Sequence, residues 1–272
     1  MKEIPFLALV APFLLIACGS SSEEPSSEDP TKGLVSLGVE STDSLSVELY
    51  ADDALRVGLN QLHFRLARPD GKSLKQASIT QLPVMHMEAM GKEHSCPHEQ
   101  PAPSADGRGL FPAFVVFQMA SGASDSWRDE VSVELGDGAA QALVFENLVV
   151  AESSARKDLS VPDGSGGEKK VVVTLNFAAP LAVGQNPFTL TLHEKADMGG
   201  MSWKALTDWS VVLTPEMPSM GHGSADNVNP THVAAGRYDG SVNLSMPGVW
   251  KVAFDFAQAG NALGSVAYEV EL

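Results

Sequence analysis

Apolar and polar residues alternate in short runs along most of the chain: Leu62, Phe64 and Leu66; Val171, Val173, Leu175 and Phe177; Trp250, Val252, Phe254 and Phe256; Val266, Tyr268, Val270 and Leu272. A period of two sends every second side chain to one face, as in a half-buried strand. Helical spacing is scarce, and Gly and Pro clusters break the chain roughly every ten residues, which predicts short antiparallel strands packed as sandwiches.

The order of marks repeats. Gly58, Leu59 and Asn60 precede one alternating run, and Gly184, Gln185 and Asn186 precede another, 126 positions on. Met87, Met90 and Gly91 are matched by Met217, Met220 and Gly221 at an offset of 130, and Met119 before Gly122 by Met246 before Gly248 at 127. A nearly constant offset predicts two copies of one domain. The expected fold class is all-β, with two immunoglobulin-like antiparallel β-sandwich domains over 33–159 and 168–272. Their boundary is expected in Ser160 to Glu168, where turn formers replace apolar periodicity.

The N-terminus changes the picture. From Ile4 to Ala17 the residues are apolar, with prolines at Pro5 and Pro12. This run is shorter than the ~18 residues of a spanning helix. It closes on Leu15, Ile16, Ala17, Cys18 and Gly19, the form of a lipobox. Residues 1–17 are therefore expected to be a lipoprotein signal peptide, with Cys18 carrying diacylglycerol in thioether linkage and a further acyl chain, such as palmitate, stabilising the anchor. The alternative is an ordinary signal peptide with an incidental cysteine. Ser20 to Thr31 has no aliphatic or aromatic residue and is rich in serine, proline and acid, so 18–32 is expected to be a lipidated, disordered tether. The expected location is the cell envelope, and Gly19 in place of Asp after the cysteine resembles outer-membrane sorting, on the periplasmic side or at the cell surface.

The formal charge of −16 is unchanged by removal of Lys2 and Glu3, and it excludes nucleic acid as an electrostatic partner. With Cys18 lipidated, Cys96 has no second cysteine with which to form an internal disulfide.

No serine elbow, H-E-x-x-H motif, P-loop or dinucleotide fingerprint occurs, which argues against an enzyme. Methionine and histidine gather instead in segments unlike core. In the second half these are Met217, Met220 and His222, with His232 ten residues on as a further ligand if the loop folds back. Thioethers and imidazole in a glycine-containing loop suit Cu(I). The other reading is that the methionines are adaptable filler at the end of a sandwich. The first half places Met85, His86, Met87, Met90, His94, Cys96 and His98 within fourteen residues. His94, Cys96 and His98 alternate, so an extended backbone would project all three to one side and could hold copper or zinc. A solvated loop and a buried, inert cysteine are the alternative. His63 and His193 fall opposite apolar neighbours and are expected at the surface.

The second half resembles the YtkA-like family, FixH-related small extracytoplasmic β-sandwiches of the cell envelope. The resemblance rests on the Met/His loop from Met217 to His222 and on a hairpin carrying Gly236, Tyr238, Gly240, Met246, Gly248 and Trp250. It implies copper handling or metalloprotein assembly. The first half departs from that pattern, with Glu88 after the first methionine, Lys92 where His222 aligns and Phe111 for the tyrosine. The expected protein is thus a lipid-anchored, non-catalytic copper binder whose partners are the membrane and a copper-accepting or other envelope protein. A structural or interaction lipoprotein without metal is the rival.

Overall fold

The computed structural model describes residues 29–136, 138–196 and 199–272, so the expected signal peptide and Cys18 lie outside the described residues. The chain forms two immunoglobulin-like antiparallel β-sandwiches. The first comprises β1 (Val35–Ser41), β2 (Ser46–Ala51), β3 (Gly58–Ala67), β4 (Ser78–Met87), β5 (Lys92–Ser95), β6 (His98–Glu99), β7 (Phe111–Phe117), β8 (Asp125–Glu134) and β9 (Gln141–Leu148). One sheet runs β1-β2-β3-β7-β6 and faces another of order β5-β4-β8-β9.

The second comprises β10 (Arg156–Pro162), β11 (Glu168–Phe177), β12 (Gly184–Lys195), β13 (Trp203–Ala205), β14 (Trp209–Met217), β15 (His222–Gly223), β16 (Val228–Ala234), β17 (Arg237–Leu244), β18 (Val249–Gln258) and β19 (Asn261–Glu271). Its sheets run β10-β11-β12-β17-β16, with β13 also on β12, and β15-β14-β18-β19.

The alternating residues face inward as their period requires. Leu62, Phe64, Leu66, Trp127 and Phe145 belong to one buried cluster. Val171, Val173, Trp250, Phe254 and Tyr268 belong to a separate one. Burying one such side chain stabilises by about 1.5–3 kcal/mol, so each sandwich has a core of its own.

The repeat extends to hydrogen bonding. Asn60 Oδ1 accepts from the Arg56 amide at 3.0 Å while its Nδ2 donates to the Arg56 and Gly58 carbonyls. Asn186 does the same with Ala182 and Gly184. Gly58 and Gly184 adopt φ of 111° and 108°, which a side chain would strain.

Two expected boundaries move. Ser160 to Glu168 is a hairpin inside the second sandwich: Leu159 pairs with Val171 and Val161 with Lys169, while Asp163 Oδ1 accepts the Ser165 and Gly167 amides. Turn formers serve a tight hairpin as well as a linker, and the inward Leu159 and Val161 assign β10 to the second core. The passage between sandwiches is instead the stretch after β9. There Ala151 exchanges backbone hydrogen bonds with Leu55 and Val57, and the Ala155 carbonyl accepts from Leu175 of β11. At the other end, Asp29 to Leu34, expected in part as disordered tether, is a hydrogen-bonded turn, with Asp29 Oδ1 accepting from both Thr31 N and Oγ1.

The sandwiches dock on one another. The Ser95 amide donates to the Gly200 carbonyl at 3.0 Å, and Trp203 Nε1 donates to the Ser95 carbonyl at 3.1 Å. Arg237 of β17 reaches Glu99 of β6 through Nε at 2.9 Å, with its guanidinium 4.0 Å from the centre of the Phe114 ring. A guanidinium both paired and stacked is held more firmly than a surface ion pair. Arg237→Ala is expected to weaken docking by about 1 kcal/mol, read as severalfold faster hydrogen exchange at the Ser95 amide with both cores unchanged.

The structure also corrects the expectation for the two strand histidines. His63 and His193 are buried, not at the surface. His63 Nε2 is 2.7 Å from Asp52 Oδ1, and His193 is covered by Ala205, the turn at Ala235 and Gly236, and His98 of the first sandwich.

Candidate functional site at the sandwich rims

In the second sandwich β14 ends at Met217 and turns tightly into β15. Met217 pairs with His222, and the Met217 carbonyl accepts from the Met220 and Gly221 amides at 3.1 and 2.9 Å. Gly221 closes the turn at φ 65°, a left-handed conformation open to glycine without strain. The turn leaves Met220 63% exposed at its tip while Met217 points inward and is 2% exposed.

The adjoining hairpin brings Met246 to the same end. Trp250 Nε1 donates to the Met246 carbonyl at 3.0 Å, and the His222 ring stands edge-on to Trp250 at 6.0 Å between centroids. A Cβ placed on Gly248 would come within 3.1 Å of the Met217 methyl, so this glycine leaves room for the buried thioether. His222 Nδ1–H donates to the Gly223 carbonyl at 2.9 Å, since a carbonyl can only accept, which leaves Nε2 with its lone pair. The rim thus offers the Met220 sulfur and the His222 Nε2, while Met217 is buried in the second core and Met246 packs partly buried against it.

In the sequence Met246 served as a repeat mark and as part of the hairpin that resembles the family, and was not taken as a ligand. Its place at the rim was within reach of the same pattern, because a residue shortly before Trp250 at the start of β18 sits at the end of the sandwich reached by Met217.

His232 does not join this group. Its ring lies 5.2 Å from that of Tyr238, whose hydroxyl accepts from the Trp209 amide at the start of β14. Met217 is at the far end of that strand, some eight residues or roughly 25 Å away. The Asn229 side chain holding the Leu213 amide ties β16 along β14 in this sense, so the loop cannot fold back.

The first sandwich builds the same rim with different chemistry. Met87 pairs with Lys92, the position of His222, and a short 3-10 turn over Glu88–Met90 ends at Gly91 with φ 56°. Met90 is 60% exposed at the tip, Met87 is half-buried, and Trp127 Nε1 donates to the Met119 carbonyl at 2.9 Å, as Trp250 does to Met246. His86 is exposed beside Glu93, 3.6 Å away, and Arg128 holds the Glu93 carboxyl below its usual range.

The remaining expected ligands scatter. Met85 and Cys96 are sealed in the first core. Burial, with the neighbouring Asp129 carboxyl, pushes the Cys96 thiol well up, away from the thiolate that metals bind. Strand pairing lapses at Cys96 and Pro97, so the alternation of His94, Cys96 and His98 does not carry to one face. The His94 ring turns edge-on to Trp127 at 5.4 Å between centroids, and His98 lines the junction with the second sandwich. Among the described residues, no group of three or more His, Cys, Asp or Glu side chains could hold a metal. Any metal at the rims must rest on thioethers.

Residues 166–255, which include the Met217 turn and the Trp250 hairpin, match the YtkA-like family. No curated protein matches the sequence. Among solved structures, domains 5–6 of the S-layer protein SbsC align over 88% of this chain and 97% of theirs at 12% identity and a TM-score of 0.29. Invasin, a bacterial integrin-binding protein, aligns over 84% at 15% identity and a TM-score of 0.27, and the chain spans 39% of its length. Tandem titin immunoglobulin domains align over 85% at 9% identity and a TM-score of 0.21. At these values nothing about binding passes from those proteins to this one. The stretch of the chain similar to the YtkA-like family is thus the second sandwich from Gly166 to Asp255, with its methionine-bearing rim.

Proposed function

We propose that this is a non-catalytic, lipid-anchored protein of the cell envelope that binds a single Cu(I) ion at the rim of its second sandwich, for delivery to or assembly of another envelope protein. Met220 sulfur and His222 Nε2 are the primary ligands, and Met246, which packs partly buried at the start of the Trp250 hairpin, is the thioether assigned to complete the set, Met217 being enclosed in the core. Cu(I) accepts few ligands and prefers sulfur and imidazole to the oxygen donors that cover this acidic surface. The observation that carries the reading is the paired orientation at the turn: one thioether raised into solvent beside an imidazole whose free lone pair is fixed by the Gly223 carbonyl. The first rim, with Lys92 in place of the imidazole, is assigned no tight site.

The test is competition of Cu(I) against a chromophoric chelator, using a chain that begins at Gly19 and so keeps every described residue. Met220→Leu with His222→Gln is expected to weaken binding at this site at least a hundredfold, about 2.7 kcal/mol, whereas Met90→Leu leaves it unchanged. Equal affinity in the wild type and the double variant would reject the rim and favour the interaction lipoprotein.

A further inference from the structure

Apart from the rims, the junction between the sandwiches holds two imidazoles that the proposed function does not use. His98 follows the break at Pro97, and its Nδ1 lies 2.8 Å from the Cys96 carbonyl. His193 lies near the end of β12, and its Nε2 lies 3.1 Å from the Ala235 carbonyl. Because carbonyls only accept, both ring protons are placed: His98 carries its proton on Nδ1 and His193 on Nε2. Each ring keeps one lone pair, on His98 Nε2 and His193 Nδ1, and the latter is buried with no hydrogen-bond partner. Backbone carbonyls that orient an imidazole through its other nitrogen are the usual outer support of histidine ligands.

Both rings line one narrow cavity of about 10 Å³, which they share with Leu59, Glu99, Phe114, Val116, Ala235 and Arg237. That space suits one water-sized occupant. Glu99 and Arg237 neutralise each other, so the cavity is lined by two imidazoles close enough for one to influence the other's charge, by aliphatic and aromatic walls, and by no unpaired carboxylate. The His193 environment is built with some care. Ala235 takes φ 42° and Gly236 φ 78°, the left-handed pair of a two-residue I′ hairpin, and this turn is pinned to β12 by the Leu192 amide donating to the Gly236 carbonyl as well as by His193 itself. A Cβ on Gly236 would lie 3.1 Å from His193 Nε2. Burial holds both imidazoles below their ordinary pKa, His193 at about 4, so the lone pairs are free at neutral pH.

We infer that His98 and His193 together form a two-coordinate site for one Cu(I) ion at the junction of the sandwiches, complete only when the two are docked. The ion class follows from the donors. Zinc would need four ligands and Cu(II) a tetragonal set, which two imidazoles do not supply. A divalent ion among neutral donors in an apolar cavity would also carry a far larger desolvation cost than a monovalent one. This site goes beyond the rim reading and stands or falls apart from it.

The experiment is anaerobic titration of the chain from Gly19 with Cu(I), supplied as its acetonitrile complex, followed by chelator competition and by long-range proton–nitrogen correlation of the histidine rings. The wild type is expected to take up two equivalents. His98→Gln and His193→Gln should each remove one, while Met220→Leu with His222→Gln removes the other. In the wild type, the His98 Nε2 and His193 Nδ1 resonances should shift together as one equivalent binds. Loss of an equivalent in the rim variant alone, with the junction resonances unmoved, would overturn this inference and leave the rim standing. Loss in the histidine variants alone would do the reverse. The resonance shifts are read on the unaltered protein, so they decide the matter even if a histidine variant does not fold.

Discussion

Trp250→Ala is expected to destabilise the second sandwich by about 3–5 kcal/mol, read as a fall in its midpoint for urea unfolding. The indole is fully buried among Val252, Phe254 and their neighbours, so truncation opens a cavity where the two sheets meet. It also leaves the Met246 carbonyl without its donor and removes the ring against which His222 stands. The same loss therefore loosens the rim. Because the buried clusters of the two sandwiches are separate, the first sandwich should retain its own transition, lowered only by whatever docking contributes. A variant that unfolded as one unit with the first core, or that lost less than about 1 kcal/mol, would contradict the packing described here.

The second large effect is on pH dependence. Asp129 sits on β8 between the inward-facing Trp127 and Val131, and burial raises its pKa from 3.8 to about 8, the Leu82 amide offsetting part of the cost and Glu130 adding to it. The folded state therefore keeps a proton that the unfolded chain releases. Stability is fully present below about pH 4 and falls as pH rises, by about 1.4 kcal/mol per unit between the unfolded and folded pKa values. The loss levels off above about pH 8. Asp129→Asn removes this titration. Unfolding of the two proteins at about pH 5 and about pH 8 should show the variant's advantage growing by several kcal/mol across that interval. Parallel pH profiles for wild type and variant would exclude a protonated Asp129 in the folded core.

Such a carboxyl is the kind of residue that pattern reading passes over. Asp129 occupies an inward position in an otherwise apolar alternation, and in the sequence it reads as one more charge in Arg128, Asp129 and Glu130. The sheet register, which sets it opposite Pro83 and Phe145, and its complete burial decide that it faces the core.

What the chain determined by local pattern is considerable. The period of two gave the strands and their inward faces, because side chains alternate across a pleated backbone whatever its partners. The Gly-x-Asn clips, the methionine turns and the tryptophan hairpins repeat because each is built from a few adjacent residues, with glycine where φ is positive and an amide or indole that reaches nearby backbone. The equivalence of the clips and of the methionine turns across the two halves is visible in the sequence, whereas Trp127 emerges as the counterpart of Trp250 only in the fold. What only the tertiary structure decided is which atoms meet across long separations. Turn formers at Asp163 to Gly167 could end a domain or a hairpin, and the pairing of β10 with β11 chose the hairpin. His94, Cys96 and His98 are neighbours in sequence, yet a lapse in strand pairing sends the thiol inward and His98 to the junction. His98 and His193 are 95 residues apart, and nothing local relates them. Their meeting depends on how one sandwich rests on the other, a contact set by Arg237, Glu99, Trp203 and Ser95 through forces that act across space and leave no period in the sequence.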